Sequence, residues 1–308
     1  MKQLVSVVIP IFNEAQSLPE LTAQLDQVFM GLPNVESEII YINDGSTDNS
    51  RQVLREIKKH NSKIKIINLR RNIGKATALN LGFKKAAGSV IVTMDGDLQD
   101  GPENLPVMLA KLSEGFDLVV GWKKRRFDPW GKTIPSKAFN FFVSKVARVS
   151  LHDVNSGFKV MRQEAIKELH LYGELHRFIP ILIAKRGYSV TEIEVLHHPR
   201  KYGRSKYGWD RLIKGFFDFL TVMFLDTYGQ KPLHFFGIIG GLSILIGLIF
   251  SIYLSILHFQ GESIGQRPLL IFAVLLILAG LQLLSTGLVA EMLISKTRDD
   301  KLPIDDED

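Results

Sequence analysis

Two aspartates, Asp95 and Asp97, are separated by one glycine and directly follow an apolar, β-branched run that predicts a buried strand. At positions i and i+2 of an extended segment both carboxylates point to one face, and Gly96 lets the backbone approach a ligand closely. Carboxylate oxygens are preferred ligands of hard divalent cations. The pattern predicts that Asp95, Asp97 and Gln99 hold Mg²⁺ or Mn²⁺ bridging the oxygens of a diphosphate, although such a triplet also occurs in ordinary turns.

Polar residues follow the other early strands in the same way. Asn13 and Glu14 follow the first predicted strand, Asp44 the second and Lys75 the third. In an open parallel sheet, ligands bind outside the carboxyl ends of the strands, so we expect these side chains to meet at one edge. Asp44 can contact a ribose or base there, or it can belong to a helix entry that Ser46 or Thr47 caps.

The elements that position these residues form an α/β pattern. Up to about residue 195, short β-branched runs alternate with longer amphipathic stretches, which predicts βα units around a mostly parallel sheet. The predicted strands are residues 5–11, 38–42, 64–69, 90–94, 118–121 and 190–195. The first helix is predicted to start at Ser17, because the sequence Ser-Leu-Pro-Glu at 17–20 has the spacing of a capping box and an early proline.

Near the C-terminus, residues 235–257 and 269–294 form two long apolar stretches. Each is long enough to cross ~30 Å of hydrocarbon at about 1.5 Å per residue, which predicts two transmembrane helices, with a buried hairpin of a soluble domain as the alternative. The connecting loop 258–268 has Arg267 as its one Lys or Arg, whereas the preceding domain and the tail are basic. This asymmetry predicts that both termini are cytoplasmic.

Few strongly polar side chains occur in the second apolar stretch. Gln282 and Glu291 are the two, and we expect Gln282 to pack against a neighbouring helix. The first stretch contains small residues that could allow the hairpin to pack against copies of itself and form a homo-oligomer. They are Gly237, Gly240, Gly241 and Gly247.

Two further segments have the pattern of amphipathic helices. Residues 136–150 and 209–225 place apolar side chains at helical spacing together with cations, which predicts helices at the membrane interface or, alternatively, helices that face a protein core. The predicted division is therefore a domain at 1–208, a juxtamembrane helix and linker at 209–232, two transmembrane helices at 233–295 and a tail at 296–308.

The charge balance narrows the classes of partner. With 38 Lys and Arg against 32 Asp and Glu, the formal net charge of +6 favours an anionic surface or a phosphorylated substrate. No recognition motif for nucleic acid is present, so nucleic acid is not a predicted partner. The chain has no cysteine, which excludes disulfides and Cys-ligated zinc.

Four motifs together resemble the family 2 glycosyltransferases of GT-A fold. They are VVIPIFNE at 7–14, NDGS at 43–46, RNIGK at 71–75 and DGDLQ at 95–99. Within that family the chain is most similar to polyisoprenyl-phosphate glycosyltransferases, such as dolichol-phosphate mannose synthases and especially bactoprenol glucosyltransferases, which share the two C-terminal transmembrane helices. The resemblance covers almost the whole chain. It implies an integral protein of a bacterial plasma membrane, with its catalytic domain on the cytoplasmic side.

The resemblance also implies roles for individual residues. The residues expected around the nucleotide-sugar are Pro10, Asn13, Glu14, Asp44, Lys75, Asp95, Arg200 and Lys206, while Asp97 and Gln99, with Asp95, hold Mg²⁺ or Mn²⁺. The segments HPR at 198–200 and GRSKY at 203–207 resemble a flap that closes over the diphosphate. Arg200 and Lys206 would neutralise its charge, or this basic stretch is simply attracted to anionic lipid.

The acceptor side is implied by a second basic cluster. Its members are Lys123, Lys124, Arg125 and Arg126, with Ser136 after them, and they either grip the lipid phosphate or contact headgroups without specificity. Residues 153–159 resemble a segment that faces the transferred sugar. Asp153 would orient the sugar or the acceptor, or else cap a helix or turn.

The implied reaction transfers a hexose, foremost glucose from UDP-glucose, to a polyisoprenyl phosphate such as undecaprenyl phosphate. The acceptor phosphate is already ionised, so it needs no general base, and a single displacement predicts inversion. A processive polysaccharide synthase is one rival, but it is expected to carry a Gln-x-x-Arg-Trp motif and more transmembrane helices. A non-catalytic membrane scaffold with a relic nucleotide fold is the other, and the intact Asp95, Asp97 and Arg200 count against it.

Overall fold

The structure is a computed structural model that describes residues 2–124, 151–167, 169, 171–202, 221, 224, 228 and 231–297. The chain divides into two compact units, Met1–Phe219 and Leu220–Asp308. The predicted amphipathic segment at 136–150 and most of the one at 209–225 lie outside the described residues, as do Arg125, Arg126, Ser136 and Lys206.

The first unit is built on one seven-stranded sheet with the order β3-β2-β1-β4-β6-β5-β7. Its strands are β1 (Gln3–Ile11), β2 (Val35–Asn43), β3 (Ile64–Asn68), β4 (Val90–Thr93), β5 (Leu118–Trp122), β6 (Lys159–Arg162) and β7 (Val190–Glu194). The pairs β1–β2, β1–β4, β2–β3 and β5–β7 are parallel, whereas β6 is antiparallel to both β4 and β5. The mostly parallel α/β sheet is confirmed, with β6 as an additional strand.

Strand β6 has a direct consequence for the predicted site. Its register places Lys159 opposite Thr93, the last residue of β4. Because β6 runs antiparallel to β4, the loop that precedes β6 lies at the carboxyl end of β4. Residues 153–158 are therefore brought to the edge where Asp95 and Asp97 follow β4.

Helices cover the sheet on both faces, as a parallel sheet requires. They are α1 (Leu18–Met30), α2 (Ser50–His60), α3 (Lys75–Lys85), α4 (Leu105–Ser113), α5 (Gln163–Ile166) and α6 (Ile179–Ala184), with 3₁₀ helices at Pro102–Asn104 and Leu175–Phe178. Consecutive residues of β1, such as Val7 and Val8, are fully buried although their side chains point to opposite faces. Burying each such aliphatic side chain stabilises the fold by roughly 1.5–3 kcal/mol.

The start of α1 agrees with the prediction, but its capping does not. The helix begins at Leu18, directly after Ser17, yet the Ser17 side chain makes no capping hydrogen bond. Its hydroxyl donates instead to the carbonyl oxygen of Gly96 at 2.6 Å. Glu20, the other member of the predicted capping box, forms an ion pair with Lys201 at 2.7 Å. The capping-box prediction is wrong because both side chains hold segments of the site edge instead.

The second unit contains α7 (Pro232–Phe259) and α8 (Pro268–Thr297). The apolar spans Pro232–Phe259 and Pro268–Ile294 have mean hydropathies of 2.4 and 2.5 and are long enough to cross a membrane. Most of their apolar side chains are exposed, and a surface of this size needs a hydrocarbon environment. The low burial of these spans favours a membrane hairpin over a hairpin buried in a soluble domain.

Close backbone contact between α7 and α8 depends on glycine. A Cβ added at Gly240 would lie 2.7 Å from the carbonyl oxygen of Gly280, and one at Gly247 would lie 2.8 Å from that of Ala273. Gly240 and Gly247 therefore pack within the hairpin, and packing of the hairpin against copies of itself stays a prediction. At Gly241 an added Cβ meets no atom within 4 Å.

The two polar residues of α8 differ in their surroundings. Glu291 accepts a hydrogen bond from the backbone N–H of Leu233 at 3.3 Å, which satisfies one free N–H group at the start of α7. Gln282 is exposed on the outside of the hairpin. The neighbouring helix expected to cover Gln282 is therefore not α7.

Candidate active site

The residues after β4 form a turn rather than the extended segment that the sequence predicted. Asp95 precedes a turn at Gly96 and Asp97, and Leu98 has a φ of +63°, in the left-handed region. An added Cβ at Gly96 would lie 2.9 Å from Cγ2 of Ile11. Glycine is needed here to make room for the end of β1, and close approach of a ligand to the Gly96 backbone stays a prediction.

Asp95 forms an ion pair with Lys75, the first residue of α3. Burial alone would raise the pKa of Asp95, but the nearby Lys75 and Lys123 hold it well below its ordinary value. Asp95 is therefore a stable carboxylate, already matched to a cation supplied by the protein.

Asp97 forms the second ion pair of the turn, with Arg200. Arg200 also lies 3.7 Å from a carboxylate oxygen of Glu14, and the backbone N–H of Gln99 donates to Asp97 at 3.1 Å. Burial and the neighbouring Asp95 raise the pKa of Asp97 to about 6, even though Arg200 opposes that shift. The two aspartates are thus close enough to influence each other, as the sequence pattern predicted.

Arg200 reaches the turn because its chain segment is hydrogen-bonded alongside it. Asp100 and His197 form an antiparallel bridge, and the N–H of His198 donates to the carbonyl oxygen of Gln99 at 3.0 Å. The His198 ring also lies 2.6 Å from a carboxylate oxygen of Glu103. Among the two predicted flap cations, the structure therefore brings Arg200 to the site, whereas Lys206 lies outside the described residues.

Asp44 is almost completely buried at the end of β2. Its carboxylate accepts hydrogen bonds from the backbone N–H groups of Ile73 at 2.8 Å and Gly74 at 3.0 Å. These bonds fix the loop that leads into α3, and so they position Lys75. The contact of Asp44 with a nucleotide stays a prediction, and its structural role is one that the sequence did not indicate.

The loop after β2 is hydrogen-bonded to the end of β1 and does not lead directly into a helix. Helix α2 begins only at Ser50, so the prediction that Ser46 or Thr47 caps it is wrong. Ser46 accepts a hydrogen bond from the N–H of Asn13 at 3.0 Å, and Asn13 accepts one from the N–H of Thr47 at 2.8 Å. These side chains bind the end of β1 to the loop after β2.

An open cleft of about 290 Å³ lies beside these loops, at the lower end of the size range of small-molecule sites. Its lining residues are Asn13, Glu14, Ala15, Gln16, Asp48, Asn49 and Tyr202. Asn13 and Glu14, two of the predicted nucleotide residues, are therefore accessible to a ligand. Pro10 is half-buried within β1, paired with Ile42 of β2.

The two described lysines of the predicted acceptor cluster lie in different environments. Lys123 is mostly buried and lies 2.5 Å from Asp100. Burial would lower the pKa of Lys123, but Asp100 and Asp95 together raise it above its ordinary value. Lys124 is exposed, 3.1 Å from Glu194. The structure thus places Lys123 inside the site and Lys124 on its surface.

The loop before β6 closes the edge of the site beside Asp95. Asp153 is buried, and the N–H of Ser156 donates to its backbone oxygen at 3.4 Å. A Cβ added at Gly157 would lie 2.7 Å from a carboxylate oxygen of Asp95. Lys159 donates to the carbonyl oxygen of Ser156, and burial together with Lys75 lowers the pKa of Lys159 to about 7.

The predicted metal ligands are Asp95, Asp97 and Gln99. Among the described residues no group of three His, Asp or Glu side chains is placed to hold a metal ion. Asp95 and Asp97 are each paired with a cation of the protein, so a metal ion would have to displace Lys75 and Arg200 from them. Mg²⁺ is commonly bound by one or two carboxylates together with substrate phosphates. Two carboxylates with the oxygen of Gln99 fit a cation that shares its coordination shell with a diphosphate.

Comparison with known proteins identifies the family. Residues 6–170 match the sequence profile described as Glycosyl transferase family 2. The chain belongs to glycosyl transferase family 2. This family 2 glycosyltransferase is 40% identical over 307 residues to the dodecaprenyl-phosphate galacturonate synthase of Rhizobium johnstonii, covering 97% of this chain and 90% of that protein.

A second relative is an undecaprenyl-phosphate 4-deoxy-4-formamido-L-arabinose transferase of Pseudomonas aeruginosa. It is 33% identical over 293 residues, covering 94% of this chain and 85% of that protein. Among solved structures, the glycosyltransferase resembles glucosyl-3-phosphoglycerate synthase from Mycobacterium tuberculosis in complex with Mn²⁺ and UDP-glucose. That likeness has a TM-score of 0.56 and 18% identity and covers 72% of this chain and 79% of the other. It shows the GT-A-like fold.

Proposed function

We propose that this glycosyltransferase moves a sugar from a nucleotide-sugar to the phosphate of a polyprenyl phosphate, with inversion at the anomeric carbon. One observation carries the proposal: Asp95 and Asp97, each paired with a cation, lie together at the carboxyl end of β4, in a chain that also has two helices long and apolar enough to cross a membrane. Both relatives described above are named for polyprenyl-phosphate substrates and align along almost the whole chain.

The donor diphosphate would occupy the half of the site near Asp97. Lys75 and Arg200 are the described cations that contact the turn, and both can turn to phosphate oxygens when a donor enters. A divalent cation held by Asp95, Asp97 and Gln99 would neutralise the charge of the leaving diphosphate. The fold neighbour that binds Mn²⁺ with UDP-glucose supports a metal here, and either Mg²⁺ or Mn²⁺ suits these ligands.

The displacement requires positioning more than proton transfer. An oxygen of the acceptor phosphate forms the new bond to the anomeric carbon, the bond from that carbon to the diphosphate oxygen breaks, and its electron pair leaves with the nucleoside diphosphate. The acceptor phosphate is ionised at neutral pH, so no side chain has to remove a proton. Alignment of the two substrates and charge neutralisation then supply most of the acceleration.

In this proposal residues 1–208 form the catalytic domain, and the hairpin within 233–295, connected through 209–232, anchors it with both termini in the cytoplasm. The acceptor lipid cannot leave the bilayer, so an anchored domain meets it at the surface. Lys124, which is exposed, is the described member of the basic cluster that is accessible to a lipid phosphate. The predicted role of Arg125, Arg126 and Ser136 at the acceptor phosphate stays a prediction.

The identity of the transferred sugar is a separate part of the proposal. The resemblance of the motifs implies glucose from UDP-glucose, while the relatives are named for galacturonate and 4-deoxy-4-formamido-L-arabinose. The transfer assay therefore supplies the purified protein with Mg²⁺ or Mn²⁺, undecaprenyl phosphate and, in turn, labelled nucleotide derivatives of each of these three sugars.

The matched variants are Asp97→Asn, which keeps the shape of the side chain, and Glu56→Gln, which changes an exposed carboxylate on α2. Wild type and Glu56→Gln are expected to label the lipid, and Asp97→Asn is expected to lose the label. Full activity of Asp97→Asn overturns the assigned site. A polymeric product indicates the processive synthase, and no transfer from any donor by the folded protein indicates the non-catalytic scaffold.

A further inference from the structure

Asn104 ends the 3₁₀ helix Pro102–Asn104 and occupies the N-cap position of α4, where an asparagine side chain usually caps the helix. Here the side chain makes no capping hydrogen bond. Its Nδ2 donates instead to the carbonyl oxygens of Gly101 at 2.9 Å and Leu196 at 3.2 Å, and its Oδ1 accepts from the N–H of Leu196 at 3.0 Å. Asn104 is 6% exposed, so these bonds are shielded from water.

Leu196 begins a segment, residues 196–202, that we call the strap. The strap runs antiparallel to the residues that follow the aspartate turn, because Asp100 and His197 form an antiparallel bridge. In an antiparallel register, each step forward on one segment faces a step backward on the other. Continued from the bridge, this register brings Arg200 opposite Asp97, with which Arg200 forms its ion pair.

The register of the strap decides which of its side chains faces Asp97. Neighbouring side chains of an extended segment point in opposite directions, so a slip of one residue would turn Arg200 away and bring a neighbour into its place. Neither neighbour is equivalent to Arg200. Pro199 carries no charge, and Lys201 lacks the planar fork of donors that a guanidinium offers to phosphate oxygens.

Other side-chain contacts between the strap and the domain are more exposed than that of Asn104. Lys201 pairs with Glu20 of α1 at 2.7 Å, with side chains that are 56% and 34% exposed. The His198 ring lies 2.6 Å from Glu103, with side chains that are 50% and 46% exposed. Exposed ion pairs contribute little to stability, because water and salt screen them. Asn104 therefore supplies the more strongly shielded attachment of the strap.

We propose that Asn104 is a positioning residue for the donor diphosphate: it fixes the register of the strap, and through the strap it places Arg200 at the phosphate oxygens. This inference rests on the proposed function and deepens it, since Arg200 contacts the diphosphate and Asn104 acts through Arg200. Without the Asn104 side chain the strap can shift along its partner segment, and Arg200 spends less time at the diphosphate. The affinity for a nucleoside diphosphate then falls, although no residue that touches the ligand has changed.

The test is a double-mutant cycle, which separates an effect that passes through Arg200 from a general loss of stability. The variants of the full-length chain in detergent are Asn104→Leu, Arg200→Ala and the two combined. Calorimetry measures the binding of UDP in the presence of Mn²⁺, and GDP, CDP, ADP and dTDP replace UDP in turn if wild type does not bind it. Asn104→Asp keeps Oδ1 and the shape of the side chain but loses the donor, and the cycle is repeated with it.

Asn80 of α3 provides a matched control. Its Nδ2 donates to the carbonyl oxygen of Leu171 at 2.6 Å, and its Oδ1 accepts from the N–H of Leu171 at 3.1 Å, the same pair of bonds that Asn104 makes with Leu196. Asn80→Leu therefore removes equivalent bonds outside the strap. Any effect of Asn80→Leu on UDP affinity is expected to be the same whether residue 200 is arginine or alanine.

We expect Asn104→Leu to weaken UDP binding about 5- to 30-fold when Arg200 is present. In the Arg200→Ala background the same substitution should change the affinity less than about 2-fold. Asn104→Asp should give the same pattern with a smaller loss. Hydrogen exchange of wild type, followed by mass spectrometry, should show that the N–H groups of Leu196 and His198 are protected, and rapid exchange there overturns the proposal without any variant.

Equal losses of affinity with and without Arg200 overturn the proposal, because Asn104 then acts on the fold as a whole, and so does an unchanged affinity in the folded variants. Where Asn104→Leu does not fold, the cycle with Asn104→Asp decides. Sugar transfer by wild type without this coupling refutes the positioning role alone. Coupling without transfer from any donor refutes the proposed function alone, and a wild type that binds no nucleoside diphosphate refutes both.

Discussion

Replacing Gly157 with alanine tests the closeness of the loop before β6 to Asp95. The new Cβ would lie 2.7 Å from Oδ2 and 3.0 Å from Cγ of Asp95, and 3.3 Å from Oδ2 of Asp100. Ordinary contact begins near 3.4 Å, so the Asp95 carboxylate has to move by about 0.7 Å. Its ion pair with Lys75 resists that movement.

A misplacement of this size at a reacting site reduces kcat/KM on the order of 10- to 100-fold. The φ of Gly157 lies outside the left-handed region, so alanine causes no backbone strain, but displacement of the Asp95 carboxylate is expected to lower the free energy of unfolding by about 1–3 kcal/mol. The assay is transfer of labelled sugar to undecaprenyl phosphate, together with thermal unfolding of each variant.

The control is Gly31→Ala at the end of α1, where φ is −77° and the nearest atom to an added Cβ is a backbone oxygen at 3.3 Å. It is expected to keep the activity of wild type. Wild-type kcat/KM in Gly157→Ala, with the protein folded, refutes the reasoning that the position of Asp95 governs catalysis.

Three further predictions concern the metal site and the hairpin. The pKa of Asp97 is raised to about 6, and a proton there competes with a metal, so Mn²⁺ affinity measured by the EPR signal of free Mn²⁺ should fall as the pH decreases through about 6; a flat profile contradicts this. Gly240→Ala should destabilise the hairpin by about 1–3 kcal/mol in detergent unfolding, because its Cβ would meet the Gly280 carbonyl, whereas Gly241→Ala, with open space, should not; equal effects refute the packing. Gln282 exposes an amide within an apolar span of a chain without cysteine, and a second copy of the hairpin could cover it. Gln282→Cys should then form a disulfide-linked dimer in oxidised membranes, and absence of that band counts against a homo-oligomer that pairs at this position.

The elements with strong local patterns were predictable from the sequence. The apolar runs of β1 and β2 and the two apolar spans were identified because burial in a parallel sheet or in lipid selects continuous apolar residues. The meeting of Asp95 with Lys75 also followed, because the carboxyl ends of parallel strands share one edge.

The remaining features depend on contacts between distant parts of the chain. Strand β6 has four residues and charged ends, so only its pairing with β4 and β5 identifies it. Ser17 has the sequence of a helix cap, yet a stronger partner at Gly96 takes its hydroxyl. Lys159 was missed because its burial, which lowers its pKa to about 7, arises from packing that no local pattern contains.

The most direct test of the central claim is the composition of the product lipid and the nucleotide released with it. Mass spectrometry of the lipid formed from undecaprenyl phosphate and the accepted donor, with chromatography of the nucleotide, gives both. We predict a product lipid that carries one sugar on its single phosphate, and release of one nucleoside diphosphate for each lipid formed. A lipid carrying two phosphates with release of nucleoside monophosphate, which means that a sugar phosphate was transferred, would contradict it.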